Sequence, residues 1–219
     1  MKKHTDHSVA GRAPSITPKG HLLIYSPPAA KQQMDIIGWL RNDFPENRRE
    51  QGGLLLGYYT RNSDGSITQA TVTEVLQAKT ECRVCDYIEW SALEEIRMQQ
   101  IFFDRKEQLA ATDSAAAEDY SILGWWHTHP NDLPVFMSAT DCETQRRMCF
   151  HSDQYAVVLN PHRGIWRAFL GKEAREIPAV MYWDTPENIH MSRGDKRHAR
   201  NCRKQNRHQK RCRSRKKMW

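Results

Sequence analysis

The densest chemistry in the chain lies in Trp125-Trp126-His127-Thr128-His129-Pro130, followed by Ser138 and Asp141. Residues two apart on a strand point to the same face, so His127 and His129 can aim two imidazoles at one point. Asp141, at the start of the next helical stretch, can add a carboxylate once the intervening loop folds back. Two nitrogens and a carboxylate around Zn2+ leave a fourth position open, the arrangement of a catalytic rather than a structural site. A metal so placed acidifies water, and a nearby carboxylate can take the proton. A plainer reading stands beside this one. A His-x-His pair alone is a weak metal signal, and Ser138-Ala-Thr-Asp141 also fits a helix capping box, a serine N-cap with an acid three residues on. The two readings agree for Ser138, whose hydroxyl can still face a cleft, but they compete for Asp141.

The elements that must position these residues can be traced along the chain. His21–Tyr25 reads as a short strand, and Pro27 and Pro28 suit the first turn of a helix running through Leu40. Residues 42–49 are a polar loop. Gln51–Tyr59 is an apolar strand with glycines, and Ile67–Leu76 alternates as a second strand after the Asp64-Gly65 turn. Ser91 can cap a helix to about Leu109, with Leu93, Ile96, Ile101 and Phe102 supplying much of its apolar face. Residues 110–119 read as a small, acidic loop, Tyr120–His129 as a strand and Ser138–Phe150 as a helix. Tyr155–Leu159 and Ile165–Leu170 form a hairpin through Asn160–Gly164, and Pro178–Ile189 holds a last short element. Consecutive strands with interspersed helices predict an α/β domain with a mixed sheet rather than a regular doubly wound one.

At this point the motifs acquire a family. Gly124-Trp125-Trp126-His127-Thr128-His129-Pro130 and then Ser138-x-x-Asp141 resemble the JAMM signature (also called JAB or MPN-plus), in which His-x-His-Pro is followed by Ser-x-x-Asp. The family also places a glutamate just before an apolar strand ending in glycine, and Glu50-Gln51-Gly52-Gly53-Leu54-Leu55-Leu56-Gly57 fits. The likeness covers roughly residues 20–175, with one departure: seven residues, Asn131–Met137, separate Pro130 from Ser138 where six are usual. The resemblance implies a curved central sheet flanked by helices, of cytidine-deaminase-like architecture. It implies Zn2+ as cofactor, with His127, His129 and Asp141 as metal ligands, Glu50 as general base and Ser138 as the donor to the oxyanion. It implies, too, a zinc isopeptidase that hydrolyses the bond between a ubiquitin-like C-terminus and a target amine, as bacterial members do beside conjugation enzymes, some of them in anti-phage defence. The partners expected are a ubiquitin-like protein, its conjugates and the conjugation enzymes of the same operon. In the resembling family, the stretch from Lys79 to Asp119 holds an insertion that contacts the ubiquitin-like protein, and Lys79–Tyr87 is the edge expected to pair with its extended tail. Two other readings stay open: a small-substrate JAMM hydrolase acting on a sulfur-carrier protein adduct, and a non-catalytic scaffold with a nucleic-acid-binding tail.

Charge divides the chain. Residues 193–219 hold 13 Lys and Arg against the single acid Asp195, while the first 192 residues carry 20 against 25 Asp and Glu. The expected organisation is a polar lead-in over 1–20, a metallopeptidase domain over 21–190 and a basic tail over 191–219 suited to weak polyanion binding, including nucleic acid. Six irregularly spaced cysteines do not form a secreted disulfide framework. Cys82-x-x-Cys85 has zinc-knuckle spacing without a second pair nearby, so reduced thiols are expected, among them Cys142 beside Asp141. With no apolar run long enough for a signal peptide or a membrane span, the expected location is the cytoplasm.

Overall fold

The computed structural model describes residues 21–41, 43, 48–79, 90–148, 151–182 and 189–191. Nine strands form one mixed sheet in the order β7-β6-β5-β4-β2-β3-β1-β8-β9. These strands are β1 (Leu22–Tyr25), β2 (Gly52–Arg61), β3 (Ile67–Gln77), β4 (Tyr120–Thr128), β5 (Tyr155–Asn160), β6 (Ile165–Leu170), β7 (Arg175–Ile177), β8 (Ala179–Tyr182) and β9 (Ile189–Met191). The helices among the described residues are α1 (Pro27–Ile37), α2 (Ala92–Ala110), α3 (Ser114–Asp119) and α4 (Ala139–Met148). This is the expected α/β domain. No helix among the described residues is long and apolar enough to cross a membrane.

The central strands are apolar at consecutive positions because both faces of the sheet are covered. Leu55, Trp126 and Val157 pack with α1 through Ala30, Met34 and Ile37. Their neighbours Leu54, Leu56, Trp125 and Val158 pack on the opposite face with Met98 and Phe102 of α2. The sheet curls strongly: Tyr25 of β1 meets Trp166 of β6 edge-to-face at 6.2 Å, although four strands separate them in the sheet. Gly53 permits a separate close approach between β2 and β3, since a Cβ there would lie 1.8 Å from the Leu76 carbonyl oxygen. That same oxygen accepts the indole N–H of Trp126, 3.0 Å away.

The elements depart from the sequence expectation at particular residues. α1 stops at Ile37 rather than Leu40, because Gly38 adopts φ 61°, ψ 51°, a left-handed helix ending that glycine favours. Residues 110–119 are not a loop throughout: Asp113 caps α3 by accepting the Ala116 N–H, and the alanines continue the turn. On α2, capped by Ser91 as expected, half of the expected apolar face faces inward. Phe102 is buried and Ile101 packs against the core, joined by Met98, whereas Leu93 and Ile96 are 78% and 60% exposed. The last expected element is two short strands, β8 and β9, preceded by β7. Residues 1–20, most of 42–49, the Cys82/Cys85 pair, all but Lys79 of the Lys79–Tyr87 edge, Cys149, Phe150 and the basic tail lie outside the described residues.

Candidate metal centre

β4 and β5 run parallel, so the chain must cross over between them. That crossover carries the loop after His129 and then α4, returning Asp141 to the C-terminal end of β4 where the histidines stand. Sites in open α/β sheets gather at such strand ends.

His127, His129 and Asp141 are all buried, and each offers one ligand atom to a common point. His127 Nε2 lies 3.1 Å from His129 Nε2. Asp141 Oδ1 is 3.3 Å from the first nitrogen, and Oδ2 is 3.5 Å from the second. A tetrahedron with arms of about 2.0–2.1 Å, the usual zinc–nitrogen and zinc–oxygen lengths, has edges of about 3.3 Å. The two nitrogens, and the carboxylate oxygen nearest each of them, stand close to that edge length, and one ligand atom from each residue lies within 4.8 Å of the other two.

The donor set agrees with the distances. His129 Nδ1 faces the Pro134 carbonyl oxygen at 2.7 Å. A carbonyl only accepts, so this nitrogen carries a proton, and in the neutral ring Nε2 presents a bare lone pair. His127 is fully buried, and desolvation lowers its pKa despite the pull of Asp141; a neutral imidazole is the form that binds metal. For His129, burial pulls the pKa down, but the Asp141 and Pro134 contacts outweigh it and leave it raised. Burial would likewise raise the pKa of Asp141, yet the two imidazoles and Ser138 hold it well below the usual carboxylate range. The cluster therefore presents an ionised carboxylate, the charge a divalent cation requires.

Ser138 and Asp141 meet as a capping box. The Ser138 N–H donates to Asp141 Oδ2 at 2.7 Å, and the Asp141 N–H donates to Ser138 Oγ at 3.1 Å. The competition foreseen for Asp141 does not arise, because a carboxylate has lone pairs enough to take the backbone N–H while facing both imidazoles. The Ser138 hydroxyl accepts from the helix and keeps its own proton to donate. The additional residue in the 131–137 loop is absorbed without separating Ser138 from Asp141.

Glu50 reaches the same region from β2's entrance. It is half-buried, and its charge lies close enough to contribute to the raised pKa of His129. Thr128, between the histidines but facing away from them, ties down the segment around Glu50. Its Oγ1 accepts the Gln51 N–H at 2.8 Å and donates to the Arg49 carbonyl at 3.5 Å, while its own N–H donates to the Gln51 carbonyl at 2.8 Å. Sequence reasoning did not single out Thr128, although its place in His-x-His puts it on the opposite face, against the neighbouring strand.

Comparison with known proteins agrees with this geometry. A stretch of 65 residues is 37% identical to a Vibrio cholerae serotype O1 (strain ATCC 39315 / El Tor Inaba N16961) protein called a CD-NTase/cGAS isopeptidase, covering 30% of this chain. The matched stretch spans 39% of that relative's length. Residues 33–169 match the family described as prokaryotic homologues of the JAB domain. That span takes in Glu50, both histidines, Ser138 and Asp141 together with the strands that hold them, and the chain belongs to the prokaryotic JAB-domain family.

Proposed function

We propose that the chain is a zinc-dependent isopeptidase that hydrolyses the amide between the C-terminus of a ubiquitin-like protein and a target amine. The observation that carries the reading is the cluster of His127, His129 and Asp141, with one ligand atom of each within 4.8 Å of the others, and the Glu50 carboxylate just ahead of β2 beside it. The name of the Vibrio relative supports an isopeptide bond as the target. A CD-NTase-linked conjugation system of anti-phage type is the setting proposed with it. His127, His129 and Asp141 hold the metal, and their nitrogen and oxygen donors suit zinc. The ion supplies Lewis acidity, making water a nucleophile near neutral pH and polarising a carbonyl.

The rest is the work of the chain's own groups. Glu50 accepts a proton from the attacking water and delivers it to the leaving nitrogen as the carbon–nitrogen bond breaks. The Ser138 hydroxyl donates a hydrogen bond to the oxygen on which negative charge develops. No covalent bond to the protein forms.

Two measurements on purified protein test the proposal together: bound zinc, and cleavage of a ubiquitin-like conjugate. Wild type should hold about one zinc per chain, and replacement of His127, His129 or Asp141 by alanine should abolish it. Glu50→Gln should keep the zinc and the fold but lose most of the turnover. Wild-type protein that takes up no zinc rejects the metal centre; normal turnover by Glu50→Gln removes that residue from the chemistry.

A further inference from the structure

A metal-bound imidazole is usually held in orientation by a hydrogen bond from its second ring nitrogen. His129 follows this rule through Pro134. His127 does not: its Nδ1 is buried and has no hydrogen-bond partner among the described residues. Its ring instead lies flat on the indole of Trp125, with centroids 4.6 Å apart and planes 12° from parallel. The two residues share a strand face, so the stack is built into β4.

The indole is itself fixed. Its Nε1–H donates to Oε1 of Gln145, and the ring of Trp90 meets Trp125 edge-on at 6.4 Å and 80°. Gln145 is completely buried, and its amide nitrogen donates to the Gln154 and Gly171 carbonyls at 3.4 and 3.2 Å. Every polar atom of this side chain is therefore used, and the carbonyls it grips belong to the segments leading into β5 and out of β6. Gln145 also stands four residues after Asp141 on α4, one turn along the same helix face. One short helix thus carries both a proposed ligand and the group that pins the stacking partner of another.

We propose that Trp125 and Gln145 are positioning residues for the metal centre: the Gln145-anchored indole sets the plane of the His127 imidazole in place of the hydrogen bond that its Nδ1 lacks. The proposal rests on the reading of His127 as a ligand and adds two residues that touch neither metal nor substrate.

The test measures zinc affinity, by competition with a chromophoric chelator, and the visible spectrum of the cobalt-substituted protein. It compares wild type with Trp125→Leu, Trp125→Phe and Gln145→Met. Met98→Ala serves as the control, since Met98 is fully buried in the same apolar cluster but belongs to α2. Trp125→Leu and Gln145→Met should weaken zinc binding by about ten- to a hundredfold, the range for losing an outer partner of a metal ligand, and should shift the cobalt bands. Trp125→Phe keeps an aromatic face and should fall between wild type and Trp125→Leu. Met98→Ala should lose thermal stability while keeping wild-type affinity and spectrum. If Trp125→Leu fails to fold, Gln145→Met and Trp125→Phe decide the matter. Variants that lose stability but bind zinc and cobalt as wild type does reduce Trp125 and Gln145 to packing and overturn the proposal. Wild type that binds neither ion overturns the centre itself, and the positioning role with it.

Discussion

Replacing Ser138 separates the helix cap that its hydroxyl makes from the oxyanion-donor role proposed for it. The Oγ atom accepts the Asp141 N–H at 3.1 Å, which caps α4; in the proposed chemistry its proton goes to the oxyanion. Ser138→Ala removes both. Loss of an N-cap costs about 1 kcal/mol, which for a chain of this size lowers Tm by about 2–4 °C. Loss of one oxyanion donor lowers kcat by about 10²- to 10³-fold. Ser138→Gly removes the donor but costs only a few tenths of a kcal/mol as a cap, and Ser138→Thr keeps both functions. All three variants retain the backbone N–H that donates to Asp141 Oδ2 at 2.7 Å, so zinc content should stay near that of wild type. Thermal unfolding, elemental analysis and steady-state cleavage of a ubiquitin-like conjugate read these effects separately. The expected pattern is slow turnover in both Ala and Gly variants, a clear drop in Tm only for Ala, and recovery in Thr. A Gly variant that turns over normally while the Ala variant melts early would refute the donor role and leave the cap alone.

Thr128→Val keeps the shape of the side chain but loses the hydroxyl between Arg49 and Gln51. Turnover should fall toward 10²-fold, the scale of a 1 Å misplacement of a catalytic group, with zinc retained and Thr128→Ser restoring the rate; unchanged turnover by the valine variant counts against the tie. Glu94 has a pKa lowered by hydrogen bonding to Arg97, against the opposing effect of burial, and with help from the Lys79 N–H. A carboxyl depressed on folding stabilises the protein above its unfolded pKa, about 4.3, and that contribution fades as pH falls through the folded value. Glu94→Gln should therefore lose about 1–2 kcal/mol at pH 7 and progressively less as the pH falls below the unfolded pKa, read from urea midpoints; a loss independent of pH contradicts the ionic account. Deleting residues 193–219 should leave zinc binding and hydrolysis intact while abolishing salt-sensitive binding to nucleic acid. Binding that persists at high salt, or a zinc-loaded but inactive truncation, contradicts it.

The paired histidines were legible because strand periodicity is two, and Trp125 and Trp126 fall on opposite faces for the same reason. The double use of Asp141 was not legible. A four-residue motif states that a carboxylate is present, but not that one oxygen can serve a helix start while both face imidazoles. On α2, Leu93, Ile96, Ile101 and Phe102 were assigned to one apolar face, and only tertiary packing decided that Phe102 goes inward with Met98 while Leu93 and Ile96 stay out. Two missed features had signals. Gly38 after a periodic run marks a helix end, and Gln145, four residues beyond Asp141, belongs to the same helix face.

The proposed ligands and the proposed base reach the site by very different routes along the chain. His127, His129 and Asp141 lie within one strand–loop–helix unit, so little chain entropy opposes their meeting. The Glu50 segment joins them only when Gln51 docks on Thr128 across 77 residues of sequence, through the β2–β4 pairing. On the proposed chemistry, a nascent chain can capture zinc before it can cut. On that chemistry, proteolytic competence would belong to the completed sheet alone.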